Sequence, residues 1–251
     1  YLRKNPLDVY HTQYITPFFV SQRTKIVTTF HDISFNFFPQ FIKISDLFFL
    51  KILIPASLRR ADKILAVSQF TRDEVIRYYK IDPNKMAVTP KAVGDDLAAE
   101  ISQSELAAGK EKYQFPDKFI LYLGTMQPRK NLPKLIAGLA KAREKDKELQ
   151  LVLAGTHGGY NFDKEIGKAI HRHCLSADVI FPGFIEAEDK LAIFKLAWAF
   201  CFPSLYEGFG IPILEAMAAG IPVVASNIPI HREIAGAAAL FFEVANETDL
   251  A

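Results

Sequence analysis

Two carboxylates, Glu207 and Glu215, stand eight positions apart in the segment PSLYEGFGIPILEAMAAGIPVVAS. A glycine-rich turn holds Glu207, Gly208, Phe209 and Gly210, and a helix is expected to carry Glu215 to Met217. Glycines at a helix entry let backbone N–H groups approach a ligand closely, and the helix N-terminus adds partial positive charge, so such a turn suits a phosphate group. The same pattern also serves a strand-turn-helix whose glycines only shape the turn. As an acid/base pair for glycoside hydrolysis the two carboxylates fail on distance. Eight helical residues separate them by roughly 12 Å along the axis, outside the roughly 5 to 9.5 Å that such a pair needs. Each is expected instead to bind hydroxyls, one from the loop and one two turns along the helix.

Other residue types with chemical capacity lie in separate loops. GTMQPRKN, 124–131, sets Arg129 and Lys130 just past an apolar run. Adjacent cations neutralise a diphosphate, Arg through a planar fork and Lys as a point charge; a solvated basic pair is the plainer alternative. His31-Asp32 follows KIVTTF directly. There a side chain projects into a cleft and suits holding a hydroxyl or shuttling a proton, with a structural role as the alternative. His157, in AGTHGGY, either lines a ligand loop or is solvated. His171 and His173 fall on opposite sides of an expected helix beside Cys174, which argues against a metal site.

The elements that must position these residues follow from periodicity. Short apolar runs alternate with helical-period segments from Lys25 to Phe241, the signature of a parallel α/β sheet. Strands are expected at 25–30, 63–67, 86–89, 119–124, 149–155, 178–183, 199–203 and 221–226. Most are continuous apolar runs, as sheets covered by helices on both faces require. A helix beginning at Asn131 carries the stripe Leu132, Leu135, Ile136, Leu139 and Ala140. Thr71 with Glu74 forms a capping-box pattern for another helix, with Val75, Ile76 and Tyr79. The polar stretch from Asp95 to Gly109 interrupts the alternation, so the domain boundary is expected there, giving domains 1–94 and 95–251. Ligands of open α/β sheets sit beyond the carboxyl ends of the strands. The loops 31–35, 124–131, 154–160, 182–186 and 203–210 are therefore the functional candidates.

Composition narrows the class. The chain has 251 residues and is 50% apolar, enough for a sizeable core, which excludes disorder, collagen and coiled coil. Its 30 basic and 28 acidic residues leave +2, too little charge for a nucleic-acid binder. The charge is uneven: up to Gly94, 14 basic residues face 7 acidic ones, and from Asp95 onward 16 face 21. Two domains with different partners fit that asymmetry. Cys174 and Cys201 are too few for a disulfide framework or a zinc site, so a cytoplasmic setting is expected. Lys43, Asp46 and Lys51 interrupt the richest apolar segment, and no membrane span is expected. The absence of an initiator Met suggests missing upstream residues.

Taken together, the Glu-x7-Glu segment, GTMQPRKN, AGTHGGY, the PGFIE turn at 182–186 and ADKILAVSQFT at 61–71 resemble the family 4 glycosyltransferases of GT-B fold. The resemblance runs from about residue 9 to the end, and the GTMQPRKNL form is similar to that of bacterial mannosyltransferases building lipopolysaccharide, capsule or exopolysaccharide. It implies two Rossmann-like, doubly wound parallel-sheet domains, the N-terminal one incomplete. It implies retaining transfer of a hexose, without a required metal or other cofactor, from a GDP- or UDP-linked sugar to a saccharide or lipid-linked acceptor. By the same resemblance, Arg129 and Lys130 grip the donor diphosphate, and Glu207 and the backbone of Gly208, Phe209 and Gly210 meet sugar and phosphate. Glu215 accepts from the ribose hydroxyls, Phe184 and Ile185 meet the base, and His31 holds the donor sugar. Gly124, Thr125, Gly155 and Ile211 complete the expected donor site.

The chain departs from the family pattern in three places: it lacks the family's N-terminal glycine-rich loop, has Pro90–Asp95 where an Asn-Gly turn and Asp are usual, and stops at NETDLA. It therefore reads as a fragment of an enzyme. A non-catalytic nucleotide-sugar-binding paralogue and a GT-B epimerase are the competing readings; intact His31, Lys130 and Glu207 argue against the first, and the Glu-x7-Glu segment with PRKN against the second. The segment 41–58, followed by Arg59, Arg60 and Lys63, is expected either to lie on an anionic membrane surface at the inner face of the plasma membrane or to form a buried helix with a basic end.

Overall fold

A computed structural model describes residues 7–17, 19–156, 158, 161–244 and 246–251. The chain forms two compact units: one runs to Lys91 and includes Glu207–Phe209, and the other comprises Ala92–Tyr206 and Gly210–Ala251.

In the first unit, β1 (Val9–Gln13), β2 (Lys25–Phe30), β3 (Lys63–Ala66) and β4 (Met86–Val88) form a parallel sheet in sequence order. Helices α1 (Ser34–Phe37), α2 (Ile44–Arg60) and α3 (Gln69–Tyr79) connect them. Strand β1, VYHTQ, was not expected, because it alternates exposed and half-buried positions and so lacks a continuous apolar run. Ile26, Phe30, Ile54, Leu58, Ile64 and Val75 form the core. Helix α2 divides its apolar content, burying Ile54 and Leu58 while Ile44, Phe48, Phe49 and Ile52 stay exposed. It is therefore not the buried helix that the sequence also allowed.

The capping signals move. The cap of α3 is Ser68, whose Oγ accepts from Thr71 N–H at 3.0 Å. Thr71 lies inside the helix, and buried Glu74 pairs with Arg77 instead of closing a capping box. Burial pushes the Glu74 carboxyl above its ordinary range, with Arg77 opposing. The reciprocal box forms at Ser102 and Glu105, at the start of α4 (Gln103–Tyr113). That helix, with a 3-10 turn at Asp95–Ala98, occupies the polar stretch that interrupts the sequence alternation.

The second unit holds β5 (Phe119–Leu123), β6 (Gln150–Ala154), β7 (Val179–Gly183), β8 (Ala199–Phe202), β9 (Val223–Ser226) and β10 (Leu240–Phe242). All pairings are parallel, in the order β10-β9-β8-β5-β6-β7. The three-residue edge strand β10 is the second that periodicity missed. Between them run α5 (Leu132–Ala142), α6 (Glu165–Arg172), α7 (Lys190–Leu196), α8 (Ile211–Ala218) and α9 (Pro229–Ala235), and α10 (Glu247–Leu250) follows β10. Leu132, Leu135, Ile136 and Leu139 of α5 are buried as the stripe requires, each removal from water stabilising by roughly 1.5 to 3 kcal/mol. The helix starts one residue later than expected because Asn131 is its N-cap, in the left-handed region that Asn tolerates.

The chain leaves β5 for β6 and β7 on one side and returns to β8, β9 and β10 on the other. The order thus reverses between β5 and β8, the place where open α/β sheets collect ligands. The loops after β5 and β8 are GTMQPRKN and PSLYEGFG.

Candidate functional site

A cavity of about 480 Å³ lies wholly within the second unit, beyond the carboxyl ends of its strands. After β5 come Gly124 and Thr125, after β6 Gly155 and Thr156, after β7 Phe184, Ile185, Ala187 and Lys190, and from α8 Ile211, Pro212 and Glu215. Seven of the residues singled out from the sequence thus meet in one concavity: Gly124, Thr125, Gly155, Phe184, Ile185, Ile211 and Glu215.

Backbone geometry forms the base of this site. Gly124 N–H donates to Ala154 O at 3.0 Å and Gly155 N–H to Gly183 O at 2.8 Å. The β6–β7 register shifts between Val152 and Ala154, which brings Ala154 opposite Gly183. Gly155 has φ of +134°, and a Cβ there would stand 2.0 Å from Gly124 O, so no side chain fits. Ile185 points inward and is buried, while Phe184 is 65% exposed, an apolar ring left on the rim.

In this wall Lys190 Nζ pairs with Glu215 Oε1 at 2.7 Å. Glu215 occupies the second turn of α8, and Glu207 precedes that helix altogether. The assumption of eight helical residues between the two carboxylates therefore fails, because Gly210, with φ of +120°, lets the chain turn into the helix only at Ile211. Lys190 was missed by sequence reasoning. In AEDKLAIF nothing distinguishes it from a solvated surface charge; only α7 meeting α8 across the cavity gives it a partner.

Arg129 and Lys130 form a 3-10 turn, Pro128–Lys130, and are not a solvated pair. Arg129 Nη1 donates to Tyr206 O at 2.5 Å, Leu205 N–H donates to Arg129 O at 2.9 Å and Asn131 Nδ2 to Pro203 O at 3.2 Å. The β5 and β8 loops are stitched together at the reversal point. Lys130 is buried, with Nζ 4.9 Å from the centroid of Phe202. Its charge is held out of water against a ring face.

His31 lies past β2 in the first unit. Its Nε2 faces Gln13 Oε1 at 3.2 Å, and its ring packs on Tyr14 at 5.7 Å between centroids. Burial, reinforced by Lys91, lowers its pKa, while Asp32 raises it less. The shift favours the neutral ring. With Nε2–H donating to Gln13, Nδ1 is the acceptor, and it is buried without a hydrogen-bond partner. Asp32 Oδ1 accepts from Ser34 N–H at 2.9 Å and Ser34 Oγ at 2.8 Å, at the start of α1.

Within the same unit, Gly208 O accepts from Ser68 Oγ at 2.7 Å and Thr71 Oγ1 at 3.0 Å. A Cβ on Gly208 would stand 1.7 Å from His31 O. Glu207 and Phe209 on either side are both buried. His157, with Gly159 and Tyr160, lies outside the described residues. His171 falls in the last turn of α6 and His173 just past it. Among the described residues no three His, Cys, Asp or Glu side chains gather as a metal site requires.

Residues 106–251, more than half of the chain, match the family model described as glycosyl transferases group 1. The chain belongs to that family. Residues 1–97 of this group 1 chain match the model for glycosyltransferase family 4. The O-antigen chain mannosyltransferase B of Escherichia coli is 34% identical over 218 residues, covering 86% of this chain and 56% of that protein. The serotype-specific mannosyltransferase WbdA of Escherichia coli is 36% identical over 183 residues, covering 72% of this chain and 22% of that one. The chain thus spans about half the length of the first relative and less than a quarter of the second. A solved glycosyltransferase structure from Rickettsia africae ESF-5 matches with a TM-score of 0.77 at 24% identity, covering 100% of this chain and 66% of that chain. The two parallel Rossmann-like sheets of this group 1 glycosyltransferase chain are those of the GT-B fold.

Proposed function

We propose that this chain carries the donor side of a retaining hexosyltransferase, which moves a sugar from a nucleoside-diphosphate sugar to an acceptor hydroxyl in polysaccharide or glycolipid assembly. The carrying observation is the cavity that unites Gly124, Thr125, Gly155, Phe184, Ile185, Ile211 and Glu215 at the strand ends. Its volume suits a nucleoside. In this reading Phe184 stacks on the base, Glu215 accepts from the ribose hydroxyls, and the glycine backbone admits the diphosphate. Arg129 and Lys130 neutralise the departing nucleoside diphosphate, Glu207 binds hydroxyls of the donor sugar, and the bare Nδ1 of His31 accepts from a sugar hydroxyl. No covalent nucleophile is needed, since leaving-group stabilisation and positioning of the acceptor lower the barrier. The mannosyltransferase relatives support mannose as the sugar, carried on GDP, with UDP-linked hexoses next.

The test is calorimetric titration of GDP, UDP and their sugar conjugates into the chain, repeated with Glu215→Ala and Lys130→Ala. Saturable binding of one nucleotide class, weakened by both substitutions, supports the reading; a folded chain that binds none overturns it. Retention is checked by the anomeric configuration of the product by NMR, and metal independence by unchanged turnover in EDTA.

The acceptor side of the proposal concerns α2. Among the described residues no helix is long and apolar enough to cross a membrane. Ile44, Phe48, Phe49 and Ile52 are nevertheless exposed along α2, with Lys51, Arg59 and Arg60 exposed on the same helix. That combination supports peripheral contact with an anionic bilayer, where a lipid-linked acceptor would be met. Cosedimentation with anionic vesicles at low salt that Phe48→Ser/Phe49→Ser leaves unchanged would exclude α2 as the contact.

A further inference from the structure

We infer that Lys190 is a positioning residue that makes the cavity selective for a ribonucleoside diphosphate over its 2′-deoxy counterpart. The inference rests on the donor-site reading above and concerns how Glu215 is held there. Glu215 is 7% exposed in a wall it shares with Leu123, Ile185, Ile211 and Pro212. An unpaired carboxylate in such surroundings is free to swing away, and it then ceases to be a fixed acceptor. Lys190 Nζ prevents this by binding Oε1 at 2.7 Å, which leaves Oε2 as the oxygen offered to a vicinal diol.

The lysine is itself anchored. Tyr113 OH donates to Asp189 Oδ2 at 2.6 Å and accepts from Glu186 N–H at 3.3 Å, while Lys112 Nζ donates to Asp189 Oδ2 at 2.5 Å. Three hydrogen bonds with Lys112 and Tyr113 of α4 thus fix the segment Glu186–Asp189 that delivers Lys190 to the cavity. The ion pair is oriented from both sides, by this segment and by α8. A site arranged to accept from a hydroxyl discriminates against the analogue lacking it, because the acceptor is then left unsatisfied.

The experiment compares GDP and UDP with 2′-deoxy-GDP and 2′-deoxy-UDP by calorimetry on the whole chain, as wild type, Lys190→Met and Lys190→Arg, with thermal melts to establish folding. Lys190→Met is expected to weaken the ribonucleotide roughly ten-fold, the scale of one charge-assisted hydrogen bond. It should leave the 2′-deoxy nucleotide nearly unchanged, so that the preference collapses, and Lys190→Arg should restore most of it. A Lys190→Met chain that keeps the wild-type preference overturns the inference while the donor-site reading stands. A folded wild-type chain that binds neither nucleotide overturns both. Should Lys190→Met fail to fold, Lys190→Gln carries the same comparison.

Discussion

Glu207 and Glu215 are almost equally buried, at 8% and 7%, yet the surroundings that hold them differ in kind. Glu207 belongs to a backbone-packed segment in which Gly208 receives two hydroxyl hydrogen bonds and has no room for a methyl group beside His31 O. Glu215 stands on a helix, at the edge of an open cavity, oriented by the side chain of Lys190. The backbone beside one carboxylate is set by close approach of main chain, and the other carboxylate is held on its helix by an ion pair to Lys190. Close packing is rigid and intolerant, whereas an ion pair can be weakened in steps.

The packed segment is most sensitive at Gly208. Gly208→Ala is expected to destabilise the chain by about 3 kcal/mol, at the upper end of ordinary overpacking. It should also lower transfer in an active form roughly hundred-fold by displacing Glu207; an unchanged melting temperature would remove the argument from packing. Next in size, Glu215→Gln should raise the donor KM roughly thirty-fold, the loss of a charged acceptor, with kcat little changed. Glu207→Gln should lower kcat instead, and steady-state kinetics that show the same split for both would erase the distinction. Phe184→Ala should weaken nucleotide binding roughly five-fold and leave denaturant stability unchanged, because its ring is largely exposed. The smallest effect is on pH dependence. Burial and Lys91 lower the His31 pKa from 6.5, against Asp32. Below pH 6.5 the unfolded chain therefore binds the proton more readily, so the contribution of His31 to stability is full above 6.5 and is lost as pH falls through the folded value. Denaturant melts at pH 7.5 and 5.5 should show a shallower difference for His31→Gln than for wild type.

Much of the scaffold of the second unit was legible because it is local. Continuous apolar runs announced β5 to β9, and a 3.6-residue stripe announced α5. Edge strands β1 and β10 escaped because one alternates polar with apolar side chains and the other has three residues. The pattern Thr71-x-x-Glu74 imitates a capping box, but Ser68 lies at the chain's actual entry into the helix, so its hydroxyl meets the unsatisfied N–H. Among candidate site residues, the glycines could be recognised by type, since a positive φ or a vanishing gap excludes a side chain. Lys190 could not, because its identity as a site residue depends on a partner 25 positions away.

The sequence by itself determined the alternation of parallel strands and helices, the family, and the loops that end at the carboxyl edges, all of which depend on neighbours in the chain and on the type of residue allowed at a turn. Tertiary structure alone decided which of those loops meet. It buried Lys130 over Phe202 when its dipeptide read equally well as solvated. It left Phe48 and Phe49 in the open on a helix that also read as core. It also set Lys190 against Glu215. Burial and ion pairing are energies of contact between segments, and no single segment carries its partner's position.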